Sequence, residues 1–249
     1  MTNVEVLNLT SSAAVTVDLV GSSSVATVKS TGSTGAVTIN NIAATTADIT
    51  VQSTAVNHTF DFANSAVTGT ADSATVNVSG MTAGVLAVDA GIETLNLVSG
   101  GSANTIATLT ATGANTLNIS GAEDMTITAA NTVSETINAG TATGAITVTS
   151  NNANATTITT GSAADAVTVT GGAAVAETIS TGAGNDTVTF AASLDNEDTV
   201  NGGAGTDTLV GISADLVALT SATAATDLIS NFEKIEFSDA MGAAATLTV

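Results

Sequence analysis

Residues 202–210 read Gly202-Gly203-Ala204-Gly205-Thr206-Asp207-Thr208-Leu209-Val210, and a weaker copy of this pattern lies 21 residues upstream, with a second copy 21 residues before that. In each copy a glycine-rich turn ends in an acidic residue, and β-branched or aliphatic residues typical of a strand follow. A fixed period of this length predicts structural coils that stack in register. The acidic residues of the three copies are Asp207, Asp186 and Asp165.

A second repeated feature extends over much more of the chain. An aliphatic residue followed by a short polar residue recurs at intervals of 17 to 22 residues, and the last three intervals are 21 residues each. Most of the polar positions are Asn, a residue that can hydrogen-bond to the Asn above and below it in stacked parallel coils. The nine pairs are Ile39-Asn40, Val56-Asn57, Val76-Asn77, Leu95-Asn96, Leu117-Asn118, Ile137-Asn138, Ile158-Thr159, Ile179-Ser180 and Val200-Asn201.

The local pattern favours strands throughout. Segments such as Thr187–Phe190 alternate with period two, and no stripe of period 3.6 persists over most of the chain. We therefore expect an all-β fold, a parallel right-handed β-solenoid or β-roll with coils of about 20–21 residues. Residues 1–38 should form irregular N-terminal coils, 39–210 the solenoid with its glycine loops at 160–210, and 211–249 a C-terminal cap with a short helix near Ser213–Leu219 and a strand at Phe232–Phe237.

Composition limits the possible partners. The chain has 249 residues, of which 22 are Asp or Glu and 2 are Lys or Arg, giving a formal charge of −20. This charge argues against nucleic acids and anionic membranes as partners, whereas cations are the natural counter-charge. There is no cysteine, no apolar run long enough to span a bilayer and no visible signal peptide. Aromatic residues make up 2% of the chain, so we expect a thin core of small aliphatic side chains.

The glycine loops resemble the RTX repeat family, whose nonapeptide is glycine-glycine-any-glycine-any-aspartate-any-aliphatic-any. Residues 202–210 match every specified position, residues 181–189 lack only the first glycine, and residues 160–168 keep Gly161, Asp165 and Val167. The resemblance implies a β-roll that binds Ca2+ between successive turns through carboxylates and loop carbonyls. Three loops enclose two gaps, so it implies two calcium ions, with none where Gly144 replaces the acid. The implied ligands are the side chains of Asp186 and Asp207, the weaker Asp165, and carbonyls near Gly182, Gly184, Gly203 and Gly205.

Most of the chain also resembles bacterial S-layer proteins of the RTX type. They share its Thr/Ala/Gly/Asn/Val tracts, its scarcity of Lys, Arg and aromatic residues, and phrases such as Gly91–Leu97 and Ile229–Ile235. The resemblance implies an extracellular protein of the bacterial cell surface, exported by a type I system, that assembles with itself into a calcium-dependent lattice. Lipopolysaccharide would be contacted through regions outside this segment.

Several alternatives stay open at this stage. Each loop Asp could cap its own turn rather than bind metal. The run Asp195–Asp198 favours a solvated turn over a peripheral cation site, and the only histidine, His58, favours a packed or solvated strand residue over a metal ligand. We expect no enzyme activity, because thin coils offer no deep pocket that would separate the pKa values of paired carboxylates. An adhesin stalk or a secretion module of a larger protein is the main alternative to a lattice protein, and an ice-binding ladder of Thr-x-Thr pairs is a lesser one.

Overall fold

The computed structural model describes residues 4–131, 135–151, 154–171, 175–221 and 228–240. The chain is an all-β parallel solenoid of about nine turns, with one short helix in the described residues. It divides into two compact units, Met1–Ala129 and Ala130–Val249. The predicted fold class is therefore confirmed.

In the first unit, each coil contributes strands to separate parallel sheets. One sheet has the order β1-β3-β5-β7-β9-β12, a second has the order β2-β4-β6-β8-β11, and β10 pairs with β13. The strands are β1 (Val6–Leu9), β2 (Val15–Asp18), β3 (Thr27–Thr31), β4 (Val37–Ile42), β5 (Asp48–Thr54), β6 (His58–Phe62), β7 (Ser73–Met81), β8 (Val85–Val88), β9 (Thr94–Ser99), β10 (Asn104–Ile106), β11 (Thr108–Thr110), β12 (Thr116–Gly121) and β13 (Met125–Asn131).

The second unit repeats the arrangement with two sheets. Their orders are β14-β16-β18-β20-β22 and β15-β17-β19-β21-β23. The elements are β14 (Thr136–Asn138), β15 (Ile146–Ser150), β16 (Thr157–Thr159), β17 (Ala166–Val169), β18 (Thr178–Ser180), β19 (Thr187–Phe190), β20 (Thr199–Asn201), β21 (Thr208–Gly211), α1 (Ser213–Ser221), β22 (Ile229–Ser230) and β23 (Lys234–Phe237).

The register confirms the predicted coil length. In the second unit one column of paired residues advances by the same step at every coil, through Thr136, Thr157, Thr178 and Thr199. In the first unit Val6 pairs with Thr27 and Thr27 with Asp48, so β1 and β3 already follow this step. Longer coils occur where a loop or helix is inserted, as in the pairing of Val200 with Ile229 across the insertion that contains α1.

The core consists of stacked aliphatic columns, as the low aromatic content predicts. Ile137, Ile158, Ile179 and Val200 form one column, and all four are fully buried. The threonines that precede these residues and the polar residues that follow them point outward, because successive side chains of a strand alternate between faces. Each strand therefore buries only a short row of side chains, and every coil needs its neighbours to complete the core.

The predicted aliphatic–Asn ladder is correct only in parts. The register aligns Leu95 with Leu117, and the Nδ2 of Asn118 donates to the Oδ1 of Asn96 at 2.8 Å. Val76, however, pairs with Leu97 rather than Leu95. Ile39 lies on β4 in another sheet, and Val56 lies in the turn before β6. The ladder therefore fails where inserted residues change the coil length, since a fixed step no longer lands on the same strand.

Of the two environments predicted for His58, packed or solvated, the structure shows the packed one, and the side chain is fully buried. Its Nδ1 lies 3.0 Å from the carbonyl oxygen of Val56, and its Nε2 lies 3.0 Å from the Oγ of Ser30. A carbonyl only accepts, so Nδ1 carries the proton and Nε2 accepts from Ser30. The Ser30 hydroxyl lies 3.1 Å from that of Ser33, which accepts from the backbone N–H of Ser11. Every polar atom of the ring is thereby satisfied, and burial lowers the pKa of His58.

The helix near the C-terminus is confirmed. Ser213, the first residue of α1, donates its backbone N–H and its hydroxyl to the carboxylate of Asp239, at 2.6 and 3.0 Å. Leu216 of this helix is buried in the core. The strand predicted at Phe232–Phe237 is observed as β23, which pairs in parallel with β21.

Candidate metal centre

The three glycine-rich loops stack directly on one another. They connect β16 to β17, β18 to β19 and β20 to β21. The backbone N–H of Ala183 donates to the carbonyl of Gly161 at 3.0 Å, and that of Ala204 donates to Gly182 at 2.9 Å. Ala183 and Ala204 also form a parallel bridge. Hydrogen bonds between loops thus hold neighbouring turns together in the same register as the strands.

Glycine is required at the turns because of their backbone conformation and close spacing. Gly203 and Gly205 have φ values of 88° and 151°, and Gly182 and Gly184 have values of 85° and 135°. A Cβ at Gly203 would lie 2.8 Å from the carbonyl carbon of Gly182 and still closer to its oxygen. Residues with a side chain rarely adopt such φ values, and backbone atoms cannot move aside as a flexible side chain can.

The three aspartates form a column inside the second unit. Asp165, Asp186 and Asp207 are 2%, 1% and 0% exposed, and the step between them is one coil. The backbone N–H of Asp165 donates to the Oδ1 of Asp186 at 2.8 Å, and that of Asp186 donates to the Oδ1 of Asp207 at 2.8 Å. Each carboxylate therefore fastens its own coil to the preceding one, and it is not held only by its own turn.

A fourth carboxylate continues the column at one end, and a backbone N–H ends it at the other. The N–H of Asp207 donates to the Oε2 of Glu233 at 2.8 Å, so Glu233 occupies the position of a fourth carboxylate. At the other end the N–H of Ile146 donates to the Oδ1 of Asp165 at 2.7 Å. Sequence reasoning missed Glu233 because the segment containing α1 lies between β21 and β23 and places Glu233 a full 26 residues after Asp207.

The column concentrates uncompensated negative charge. The Oδ2 atoms of Asp186 and Asp207 are buried and have no hydrogen-bond partner. Burial raises the pKa of Asp186, hydrogen bonds from the N–H of Asp165 and from the Thr181 side chain lower it, and the charges of Asp165 and Asp207 raise it again. The Lys234 ammonium pairs with Glu236 on the surface, and Lys29 lies in the other unit. A cation held near these oxygens would compensate both the charge and the missing hydrogen bonds.

The loops do not present a complete metal cage as they stand. Within the described residues, no three Asp, Glu, His or Cys side chains converge closely enough to hold a metal ion. The structure brings Asp165, Asp186 and Asp207 into one column and places the glycine carbonyls in the adjoining turns, with that of Gly182 already accepting a hydrogen bond. Calcium binding by these residues therefore stays a prediction. It agrees with the ligand chemistry of Ca2+, which accepts carboxylate, carbonyl and water oxygens in flexible geometry.

A second group of buried acids lies at the opposite ends of the short strands. Glu177 immediately precedes β18 and Asp198 immediately precedes β20, and they are 2% and 0% exposed. The Oδ1 of Asp198 accepts from the N–H of Glu177 at 2.9 Å, and its Oδ2 accepts from the N–H of Asp195 at 2.8 Å. The solvated turn expected at 195–198 is therefore wrong for Asp198. Alternation could not reveal this burial, because Asp198 follows an irregular loop.

The two carboxyl groups of this second pair affect each other's protonation. Burial, together with the contact and charge of the neighbouring Asp198, raises the pKa of Glu177 to about 8. The charge of Asp195 acts in the same direction. Two carboxyl groups that face each other out of water cannot both keep an uncompensated negative charge.

Comparison with known proteins leaves the chain without an assigned relative. No family model, curated protein or solved structure matches it. Within the described residues, no helix is long and apolar enough to cross a membrane. Any function must therefore be argued from the repeats and the buried carboxylates themselves.

Proposed function

We propose that this chain is a structural component of a bacterial surface layer, a calcium-binding β-solenoid that assembles with itself into an extracellular lattice. The proposal rests on the column of Asp165, Asp186 and Asp207, which is buried and stacked coil upon coil. Lys234, the basic residue of the second unit, pairs with Glu236 on the surface. Calcium is the counter-charge, and the resemblance to RTX-type S-layer proteins supplies the role in a lattice.

Calcium would act on folding through electrostatic repulsion. Asp186 and Asp207 bring negative charge into a water-excluded stack of a chain that already carries a formal charge of −20. A divalent ion between neighbouring loops lowers this repulsion and fixes the glycine turns, so binding energy becomes folding energy. In a calcium-poor cytoplasm the motif loops stay loose enough for export through a type I system, and calcium outside the cell sets them.

The repetitive architecture supports a scaffold role. Coils of constant length expose flat rows of small polar side chains, such as the column Thr136, Thr157, Thr178 and Thr199. Surfaces of this kind can repeat contacts between copies at regular intervals. An adhesin stalk or a calcium-folded secretion module of a larger protein would use the same scaffold without forming a lattice.

The ice-binding alternative has weaker support. In one column, Ala166 of β17 lies between Thr147 of β15 and Thr187 of β19 and interrupts the threonines. In the next column Thr189 pairs with Val210. The two-column array of hydroxyl groups is therefore interrupted, so we do not propose ice binding.

Electron microscopy of the purified chain tests the lattice. We expect ordered sheets at millimolar Ca2+ and dispersed particles in excess chelator. The double variant Asp186→Asn/Asp207→Asn should not form sheets at the same calcium concentration, whereas the control Glu197→Gln, which removes one charge from an exposed loop of the same unit, should form them. Isolated rods at all calcium concentrations would contradict the lattice and favour the stalk.

A further inference from the structure

The unsatisfied polar atoms of the second unit fall into two groups, and only one of them belongs to the glycine loops. Among the described residues, the buried side-chain oxygens without a hydrogen-bond partner include Asp186 Oδ2 and Asp207 Oδ2 in the column. Three other such oxygens lie outside the column, in segments that are joined by hydrogen bonds. These three are Glu177 Oε2, Ser193 Oγ and Asp215 Oδ2.

Backbone hydrogen bonds tie the second group into one cluster. The N–H groups of Glu177 and Asp195 both donate to the carboxylate of Asp198, at 2.9 and 2.8 Å. The N–H of Leu194, which follows Ser193 in sequence, donates to the carboxylate of Asp215 at the start of α1. We call Glu177, Ser193, Asp195, Asp198 and Asp215 the acidic corner. Its residues come from two loops and the first turn of α1, so the solenoid fold itself assembles it.

The pair Glu177 and Asp198 is the centre of the acidic corner. Both side chains are fully buried, and their carboxyl groups contact each other. Asp198 is fastened by two backbone donors, whereas the Oε2 of Glu177 has no partner. A carboxyl group with an unpartnered oxygen beside a second buried carboxylate has two ways to be satisfied, a shared proton or a cation.

The surroundings favour a divalent cation. The charge of Asp195 acts on both Glu177 and Asp215, and no basic side chain takes part in any of these interactions. When both are ionised, Glu177 and Asp198 carry a charge of −2, which one Ca2+ compensates. The fully buried Ser193 hydroxyl and backbone carbonyls are neutral oxygens of the kind that complete a calcium shell of about six to eight ligands.

We propose that the acidic corner binds one calcium ion through Glu177 and Asp198, with Asp195 as the more exposed third carboxylate, at a site separate from the Asp165/Asp186/Asp207 column. The two sites lie at opposite ends of β18 and β20, about 10 Å apart for strands of three residues. The described residues show no three acids already converged. The cation therefore draws Asp195, which is only half-buried, toward the fixed pair.

Calcium counting on variants of the full chain tests this site. Equilibrium dialysis at pH 8 with Ca2+ as the only divalent ion gives the number of ions bound per chain. Glu177→Gln should lose one bound calcium, and Asp186→Asn/Asp207→Asn should keep the ion of the acidic corner while losing those of the column. The exposed Glu197→Gln should bind as many ions as the wild type.

The variants separate this proposal from the lattice proposal and from misfolding. The amide that Glu177→Gln introduces can donate to Asp198 as a protonated Glu177 would, so this variant should give an unchanged circular dichroism spectrum and a melting temperature in chelator at least equal to that of the wild type. An unchanged calcium count in Glu177→Gln overturns the site and leaves a shared proton as its explanation. An equal loss in Glu197→Gln overturns it as well, because general charge screening would then account for binding. If Asp186→Asn/Asp207→Asn keeps the wild-type calcium count while Glu177→Gln loses one ion, the site in the acidic corner is supported and the site in the column is refuted.

Discussion

Replacement of Gly203 by Ala should disrupt the stacking of the glycine loops. Gly203 has a φ of 88°, and an added Cβ would lie 2.8 Å from the carbonyl carbon and 3.2 Å from the nitrogen of Gly182 in the preceding coil, and closer still to the oxygen. Because Ala204 donates to that same carbonyl, the methyl group cannot be accommodated without separating two coils. The matched control is Gly100→Ala, since nothing lies within 4 Å of a Cβ at that position.

The magnitude follows from two terms. A left-handed backbone costs a residue with a Cβ about 1–2 kcal/mol. Overpacking against atoms that cannot rotate away costs about 1–3 kcal/mol more. The sum is about 2–5 kcal/mol, which for a chain of this size corresponds to a melting temperature lower by roughly 4–20 °C.

Thermal unfolding in excess chelator, followed by circular dichroism, measures this effect without a contribution from metal affinity. We expect Gly203→Ala to melt several degrees below the wild type and Gly100→Ala to melt within about 1–2 °C of it. Equal melting temperatures for the two variants would refute the close approach of the loops and, with it, the reason given for the regular spacing of glycine and aspartate within each motif.

Three further predictions concern buried groups. Burial lowers the pKa of His58 in the folded chain, so the unfolded state binds more protons below about pH 6.5. The free energy of unfolding should therefore fall as pH decreases through that value. Chemical denaturation at about pH 5–8 should show that His58→Gln abolishes this part of the pH dependence. Glu177 behaves in the opposite way in chelator, because its pKa is raised to about 8 in the folded chain. Its contribution to the free energy of unfolding is full below about pH 4.5 and is lost as pH rises through 8, by up to about 1.4 kcal/mol per pH unit. Glu177→Gln should lack this loss in the same titration. Ile158→Ala, which removes a buried side chain, should lower the free energy of unfolding by about 2–5 kcal/mol. Thr157→Ala, at the exposed neighbouring position, should change it by less than about 0.5 kcal/mol. Similar effects of the two substitutions in urea denaturation would contradict the assigned faces of β16.

The sequence is sufficient for the features that depend on a constant coil length. A step of 21 residues finds Asp165, Asp186 and Asp207, and the structure stacks them as one column. The same step fails wherever a loop or helix is inserted. Glu233 was missed for this reason, since it follows Asp207 by 26 residues. Period and register are therefore predictable only between coils of equal length.

Side-chain direction in the loops was not predictable from the sequence. Glu177 and Asp198 share a phase that is visible in the repeat, but acidic residues at turns are usually solvated. Their burial results from backbone donors that only the folded loops bring together, namely the N–H groups of Glu177 and Asp195 on the carboxylate of Asp198. The sequence alone likewise does not decide the role of His58, because its partner Ser30 lies 28 residues away.

The most direct test of the calcium-dependent scaffold is the melting temperature of the full chain in excess chelator and in millimolar Ca2+, read by circular dichroism. We expect a clear rise with Ca2+, because the ion compensates the unpartnered oxygens of Asp186 and Asp207, and a smaller rise in the Asp186→Asn/Asp207→Asn variant. An identical spectrum and melting temperature of the wild type under the two conditions would contradict it.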